Sequence, residues 1–305
     1  MKAATYSSYG PPEVLKLMDV EKPKPKPHEL LVKIKAATVT SGDIRLRASD
    51  FPPLFWLPAR LMFGLFKPKK KILGHEFAGV VEAIGSKVSK FSVGDEVFGT
   101  TTMLATGSYA EYVCVPESWK SGVVAKKPAH LSFEESAALP VGAMTALFLL
   151  KKAKIDSSKE VLIYGASGSV GSYAIQLASI LGKSVTAVCS SDNIEMVKSL
   201  GADEVIDYKN QDYSTRSRKF DIVFDAVGKT SKAVAKKVLR KEGVFVSVEM
   251  LTSEKLDDLI ELKKMAEEGT LKPFIDRTYT LDQIVQAHEY VDTGRKKGNL
   301  VIRVS

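Results

Sequence analysis

Five short apolar runs punctuate the second half of the chain: EVLIYGA (160–166), SVTAVCS (184–190), EVIDY (204–208), DIVFDAV (221–227) and GVFVSV (243–248). Their apolarity is continuous rather than alternating, so each reads as a strand covered on both faces, with helical segments between them. Such strands make a parallel sheet with helices on either side, a doubly wound α/β arrangement.

Ahead of these runs the rhythm differs. ELLVKIKAATV (29–39), AGVVEAIG (78–85) and GSYAEYVCVP (107–116) are strand-like and separated by glycine and proline turns, which reads as a small all-β barrel or sandwich. Ser132 and Glu135 form a capping-box pattern before SAALPVGAMTALFLLKKA, a helical stretch that Pro140 is expected to interrupt. The closing YTLDQIVQAHEYVDTGRKKGNLVIRV reads as one helix and one strand that can return to the first domain.

Composition narrows the function classes. With 305 residues, 45% of them hydrophobic, two domains with proper cores are expected. The net charge of +8 favours an anionic ligand or partner. However, the basic runs KPKKK (67–71) and EKPKPKP (21–27) lack the aromatic interleaving of a single-strand binder, so nucleic-acid binding is the minor reading. Two cysteines, Cys114 and Cys189, provide neither a disulfide framework nor a four-cysteine zinc loop. The opening MKAATYSSYG lacks an apolar core of signal-peptide length, and a cytoplasmic location is the expectation. The segment FPPLFWLPARLMFGLF (51–66) is too short to span a membrane and carries three prolines and Arg60. It reads as a loop and short helix packed on the core, or as the apolar wall of a substrate cleft.

The sharpest chemical signal is VLIYGASGSVGSYAIQLA, where a buried strand ends at Gly165 and a helix opens near Ser169. Gly165, Gly168 and Gly171, with Ala166, Ser167, Ser169 and Val170 between them, permit a tight turn, close approach of a pyrophosphate and close helix packing. The spacing is GxxGxxG rather than GxGxxG, but the strand, turn and helix context is the one a dinucleotide requires. The second strand ends in Cys189, Ser190 and Ser191, without the carboxylate that holds the ribose hydroxyls of NAD. Small hydroxyl residues leave room for a 2′-phosphate, so NADP(H) is the expected cofactor. Asp192 is read as a cap for the next helix, with Glu195 three positions on.

The sequence resembles the medium-chain dehydrogenase/reductase superfamily, and within it the zinc-independent quinone oxidoreductase branch. LGHEFAGVVEAIGSKVSKFSVGDEVFG (73–99), GSYAEYVCVP, LSFEESAALPVGAMTAL (131–147), the glycine loop, SLGADEVIDY (199–208) and KKGNLVIRV carry the resemblance. It implies a GroES-like catalytic domain from residues 1–123 and 272–305, a Rossmann NADP(H)-binding domain over 124–271, and an active site in the cleft between them. It also implies that Thr145 touches the nicotinamide, that Ser190, Asn193 and Tyr208 surround the adenosine phosphate end, and that Val227, Gly228 and Asn299 complete the cofactor cleft. The family's quinone reductases carry an Asp-x-x-x-Arg pattern matched by Asp43 and Arg47, preceded by Ser41 where many have Asn; these three are the candidate catalytic residues. Asp43 and Arg47 pairing only to brace their loop is the competing reading, and Tyr109 is a further possible donor. Two departures stand out. The family usually carries some two dozen more residues after GVFVSVEM, including a last sheet strand that often pairs across a dimer axis. Five parallel strands, and a monomer or atypical dimer, are therefore expected. Related NADP enzymes also often place a cation near position 192, where this chain has Asp192.

Catalytic zinc needs three protein ligands and one open position. His75 and Glu76 match the His-Glu pair of the zinc enzymes, but the places of their two cysteines correspond to Thr40 and about Val141. Neither is a thiolate, so no metal is expected. The other histidines, His28, His130 and His288, are read as surface or helical residues without a cluster. The expected activity is hydride transfer from NADPH to a small hydrophobic quinone or enone, which needs no strong acid-base pair. The alternatives are an NADPH-binding regulatory or RNA-binding protein with little turnover, and a zinc alcohol dehydrogenase.

Overall fold

The ten-residue strand ELLVKIKAAT organises the first half of the molecule, because its buried residues outnumber its half-exposed ones and strands pair with it on both sides. The computed structural model describes residues 1–304, and of Leu54 the backbone alone. Two compact units result, Met1–Val141 with Ile275–Ser305, and Gly142–Phe274.

In the first unit a hairpin of β1 (Lys2–Thr5) and β2 (Lys16–Asp19) precedes β3 (Glu29–Thr38). Helices α1 (Ser41–Ala48) and α2 (Pro53–Phe63) follow, then β4 (Glu76–Ile84), β5 (Glu96–Thr100), β6 (Tyr112–Pro116), β7 (Val124–Lys126) and α3 (Phe133–Ala138). Ser132 caps α3 and makes the expected box with Glu135.

Helix α4 (Pro140–Lys152) carries the chain into the second unit, so Pro140 does end α3 and start a new helix. Then come β8 (Glu160–Tyr164), α5 (Ser169–Ile180), β9 (Ser184–Cys189), α6 (Ile194–Ser199), β10 (Glu204–Asp207), β11 (Phe220–Asp225), α7 (Lys232–Ala235), β12 (Leu239–Ser247) and α8 (Leu256–Glu267). The five strands are parallel in the order β10-β9-β8-β11-β12, as the continuous apolar runs imply. The order reverses at β8, whose carboxyl end leads into the glycine loop. Leu162, Val188, Ile206, Phe220 and Val223 build the core beside this sheet.

The chain ends in the first unit with β13 (Ile275–Thr280), α9 (Ile284–Asp292) and β14 (Asn299–Arg303). A sheet of order β13-β14-β3-β4-β5-β7 forms there, with β6 also pairing β3. Of these, β13 was not legible: its polar, half-exposed residues lack the apolar run that marks a strand.

The segment 51–66 departs from its expected packing. Phe51 and Phe63 stack on each other at 6.0 Å against the core, but α2 leaves Phe55, Trp56, Leu57, Leu61 and Met62 exposed, and Phe66 beyond it is 86% exposed. Pro52 and Pro53 start this helix, but it has one flank to bury and too many apolar residues to bury on it. Among the described residues no helix is long and apolar enough to cross a membrane.

Candidate active site

Thr40, in extended conformation, caps α1 and accepts from the Asp43 backbone N–H at 3.1 Å. Asp43 answers as the capping-box acid: its Oδ2 accepts from the Thr40 backbone N–H (2.9 Å) and hydroxyl (2.6 Å). Its Oδ1 accepts from the Gly74 N–H at 2.9 Å and lies 2.8 Å from His75 Nδ1. Asp43 is fully buried. Burial pushes its carboxyl upward, but the His75 ring and the Thr40 bonds outweigh that and hold it below the usual carboxylate range. Ser41, the first residue of α1, is exposed.

No bond joins Asp43 to Arg47. Arg47 is itself buried and gives its donors elsewhere, to Gly10 O (3.1 Å), His288 Nδ1 (3.1 Å) and Asp292 Oδ2 (2.7 Å). It therefore fastens α1 to α9. Since guanidinium only donates, His288 Nδ1 is the acceptor and the neutral ring carries its proton on Nε2, which is buried without a partner. His288, read as surface or helical, is helical and fully buried, edge-on to Tyr109 at 5.6 Å, because α9 turns Ile284, Ala287, His288 and Val291 inward. Burial takes its pKa down to about 3, Asp43 opposing and Arg47 adding. Tyr109, also fully buried, donates to Thr38 O at 3.2 Å.

Glu76 bonds within the unit. Its Oε2 accepts from the Thr38 hydroxyl and its Oε1 from the Val141 N–H at 2.6 Å. Burial raises its carboxyl to about 8 despite both bonds. Lys296, its ammonium enclosed and donating to Gly298 O at 2.9 Å, is lowered to about 8 by the same cause. The donors required for catalytic zinc are not here. Thr40 is committed to Asp43, Val141 offers only its backbone, and Glu76 is saturated. Among the described residues no group of three or more His, Cys, Asp or Glu is placed to hold a metal. Cys114 and Cys189 lie apart, on β6 and at the end of β9, and burial pushes each thiol up to about 11.

In the second unit the glycine loop has the form the sequence implies. Gly165 sits at φ +73° with Val227 packed where a Cβ would stand, and a Cβ on Gly171 would lie 2.4 Å from Gly165 O. Gly168 caps α5 without any side-chain bond, so the helix opens at Ser169, Val170 and Gly171 with its positive end toward the glycine loop. Beside them Asn193 donates to Ser167 Oγ (2.9 Å) and Ser190 Oγ (3.2 Å), while its own Oδ1 is buried with no partner. A helix N-terminus that no side chain caps, next to an unpaired amide oxygen, fits a dinucleotide's phosphates and hydroxyls.

Other candidate positions divide. Ser191 donates to Asp207 Oδ2 at 2.6 Å, and Tyr208 is about half exposed at 52%. Asp192 does not cap α6: it lies within a single turn of tighter helix, Ser191–Asn193, faces solvent, and pairs loosely with Lys209 at 3.5 Å. Asp225, unnoticed in the sequence, is buried at the end of β11 and accepts from the N–H groups of Val227 (3.2 Å), Gly228 (3.0 Å) and Lys229 (3.4 Å), fixing that turn. The acid ending DIVFDAV was the available signal. Thr145 is half-buried on α4, and Asn299 is buried at the start of β14 in the first unit.

With this geometry in view, the comparisons with known proteins align with it. Residues 26–129 match the alcohol dehydrogenase GroES-like domain and residues 169–286 the zinc-binding dehydrogenase domain. The chain is 37% identical to a 2-methylene-furan-3-one reductase of Solanum lycopersicum, across 99% of this chain and 79% of that protein. It is 32% identical, with the same coverage, to a chloroplastic NADPH-dependent alkenal/one oxidoreductase of Arabidopsis thaliana. The structure of a quinone oxidoreductase from Coxiella burnetii superposes with a TM-score of 0.85 at 30% identity, covering 100% of this chain and 99% of that one. The chain belongs to the medium-chain dehydrogenase/reductase superfamily and is an oxidoreductase.

Proposed function

We propose that this protein is a zinc-independent, NADPH-dependent reductase of small hydrophobic enones or quinones. The observation that carries the reading is the fate of Thr40: where a zinc enzyme has a thiolate, this hydroxyl is spent capping α1 and donating to Asp43. Relatives named as a 2-methylene-furan-3-one reductase and an alkenal/one oxidoreductase support the enone class, and a quinone oxidoreductase the other.

We assign cofactor binding to the second unit, with the loop from Gly165 to Gly171 and α5 receiving the pyrophosphate, and Ser190, Ser191, Asn193 and Tyr208 receiving the adenosine end. When bound, NADPH supplies the hydride. Thr145, Val227 and Gly228 are assigned to the remainder of the cofactor site. Ser41 and the exposed apolar residues of α2 are assigned to the acceptor, which they suit by being respectively a hydroxyl donor and a greasy surface. Asp43 and Arg47 act as positioning residues, since all their bonds run inward.

The test is stopped-flow oxidation of NADPH and NADH against a panel of enones and quinones, with elemental analysis of the same sample. Acceptor-dependent oxidation, tighter binding of NADPH than NADH, and no stoichiometric zinc are expected. Tight cofactor binding without oxidation would favour the regulatory reading that the +8 charge permits; stoichiometric zinc with chelator-sensitive activity would replace it with an alcohol dehydrogenase.

A further inference from the structure

We propose that His75 is the proton donor of the reaction, giving its Nε2 proton to the acceptor's carbonyl oxygen, with Asp43 as its positioning residue. The inference rests on the reductase reading above and names the group that does the work a zinc ion would otherwise do at the carbonyl.

Asp43 holds the ring. Asp43 is fully buried, with three of its four bonds coming from backbone or from the adjacent cap: Thr40 N–H, Thr40 hydroxyl and Gly74 N–H. The fourth position, on Oδ1, is left for His75 Nδ1 at 2.8 Å. A carboxylate fixed on three sides sets both the direction and the donating nitrogen of the imidazole it meets. His75 keeps 20% of its side chain exposed, and Nε2 makes no hydrogen bond to any described residue. The ring is therefore anchored at one nitrogen and open at the other.

Four neighbouring proton carriers are closed off. Tyr109 is buried and gives its hydroxyl to Thr38 O. His288 is buried and held by Arg47, and Arg47 is spent on three partners. Glu76 is enclosed, with both oxygens taken. The charged and titratable groups within electrostatic reach of the Asp43 and His75 pair are Tyr6, Lys70, Glu76, Tyr109, His288 and Lys296, with Arg47 one turn along α1. None of these shares with His75 the combination of a fixed tautomer-setting partner and access to solvent.

The step balances without another reactant. Hydride adds to the β-carbon of the enone, the C=C π electrons move to form the enolate, and the carbonyl oxygen takes the proton from Nε2. The resulting enol becomes the saturated ketone by exchange with water. Neutral His75 then regains a proton from solvent at its exposed edge, while Nδ1–H stays on Asp43 throughout. A quinone makes a different demand: its reduced anion is a weak base that water protonates, so His75 matters less there.

His75→Ala and His75→Gln test the proposal, with near-UV circular dichroism to verify folding; Gln keeps a donor to Asp43 but cannot transfer a proton. Expected with an enone is a loss of roughly 100-fold in kcat/KM, a much smaller loss with a quinone, and an NADPH Kd within about two-fold of wild type by fluorescence titration. Added imidazole should restore part of the His75→Ala rate. Near-wild-type enone turnover in His75→Gln, or an equal loss with both acceptor classes and no imidazole rescue, overturns the proposal. If wild type oxidises NADPH with no acceptor of either class, the reductase reading itself falls.

Discussion

The Asp43 cluster and the glycine loop are both polar, the first buried and the second half-buried, and they are finished in opposite ways. Around Asp43 the side chains satisfy one another: both carboxylate oxygens, Arg47 and the oxygens of Glu76 have partners inside the unit. Around Gly168 the backbone provides the site: no side chain caps the start of α5, and an acceptor on Asn193 stays unmatched. The first arrangement holds its own geometry with nothing bound. The second leaves interactions available to a ligand, which is where binding energy for a cofactor comes from.

The largest expected break in this contrast is Gly171→Val. Its Cβ would stand 2.4 Å from Gly165 O, and backbone cannot swing aside as a side chain can. Loss of measurable NADPH binding by fluorescence titration is expected, with a stability loss of about 3 kcal/mol or more by denaturant unfolding. Retained binding would mean the loop is not the cofactor's seat. Next comes Asp43→Asn, which removes a buried charge from four donors. We expect about 3 kcal/mol lost in the same unfolding assay, with NADPH Kd unchanged if the two sites are separately built.

The smallest effect concerns pH. Because the pKa of His288 is depressed in the folded state, from 6.5 to about 3, its contribution is present above 6.5 and is lost as pH falls through that interval. Stability should therefore decline by about 2 kcal/mol between pH 7 and pH 5, a slope that His288→Asn should flatten in thermal melts. An unchanged slope would place the acid sensitivity in another group.

The parallel sheet was legible because buried strands announce themselves as unbroken apolar runs, and the glycine loop because its geometry tolerates so few residues. The Asp43 and Arg47 pair was legible as a motif, but not as a geometry. Nothing in the spacing says that Arg47 turns away from Asp43 to His288, more than two hundred residues on. Long-range partners of this kind depend on how α1 and α9 meet, which no local pattern encodes. The same limit hid the burial of His288, since a histidine on a helix has no intrinsic preference strong enough to reveal the face it takes. For α2, apolarity was read as burial, but a helix apolar on several faces can bury only the one it turns to the core.

The last strand of the chain, β14, lies between β13 and β3 and is the neighbour that completes that side of the first unit's sheet. During synthesis, all five strands of the second unit leave the ribosome as one continuous stretch before β14 has been made. The first unit must wait, holding β3 with an open edge until its final residues arrive. The order of maturation is thereby written into the chain: the unit with the glycine loop can close early, and the one carrying Asp43 and His75 closes last.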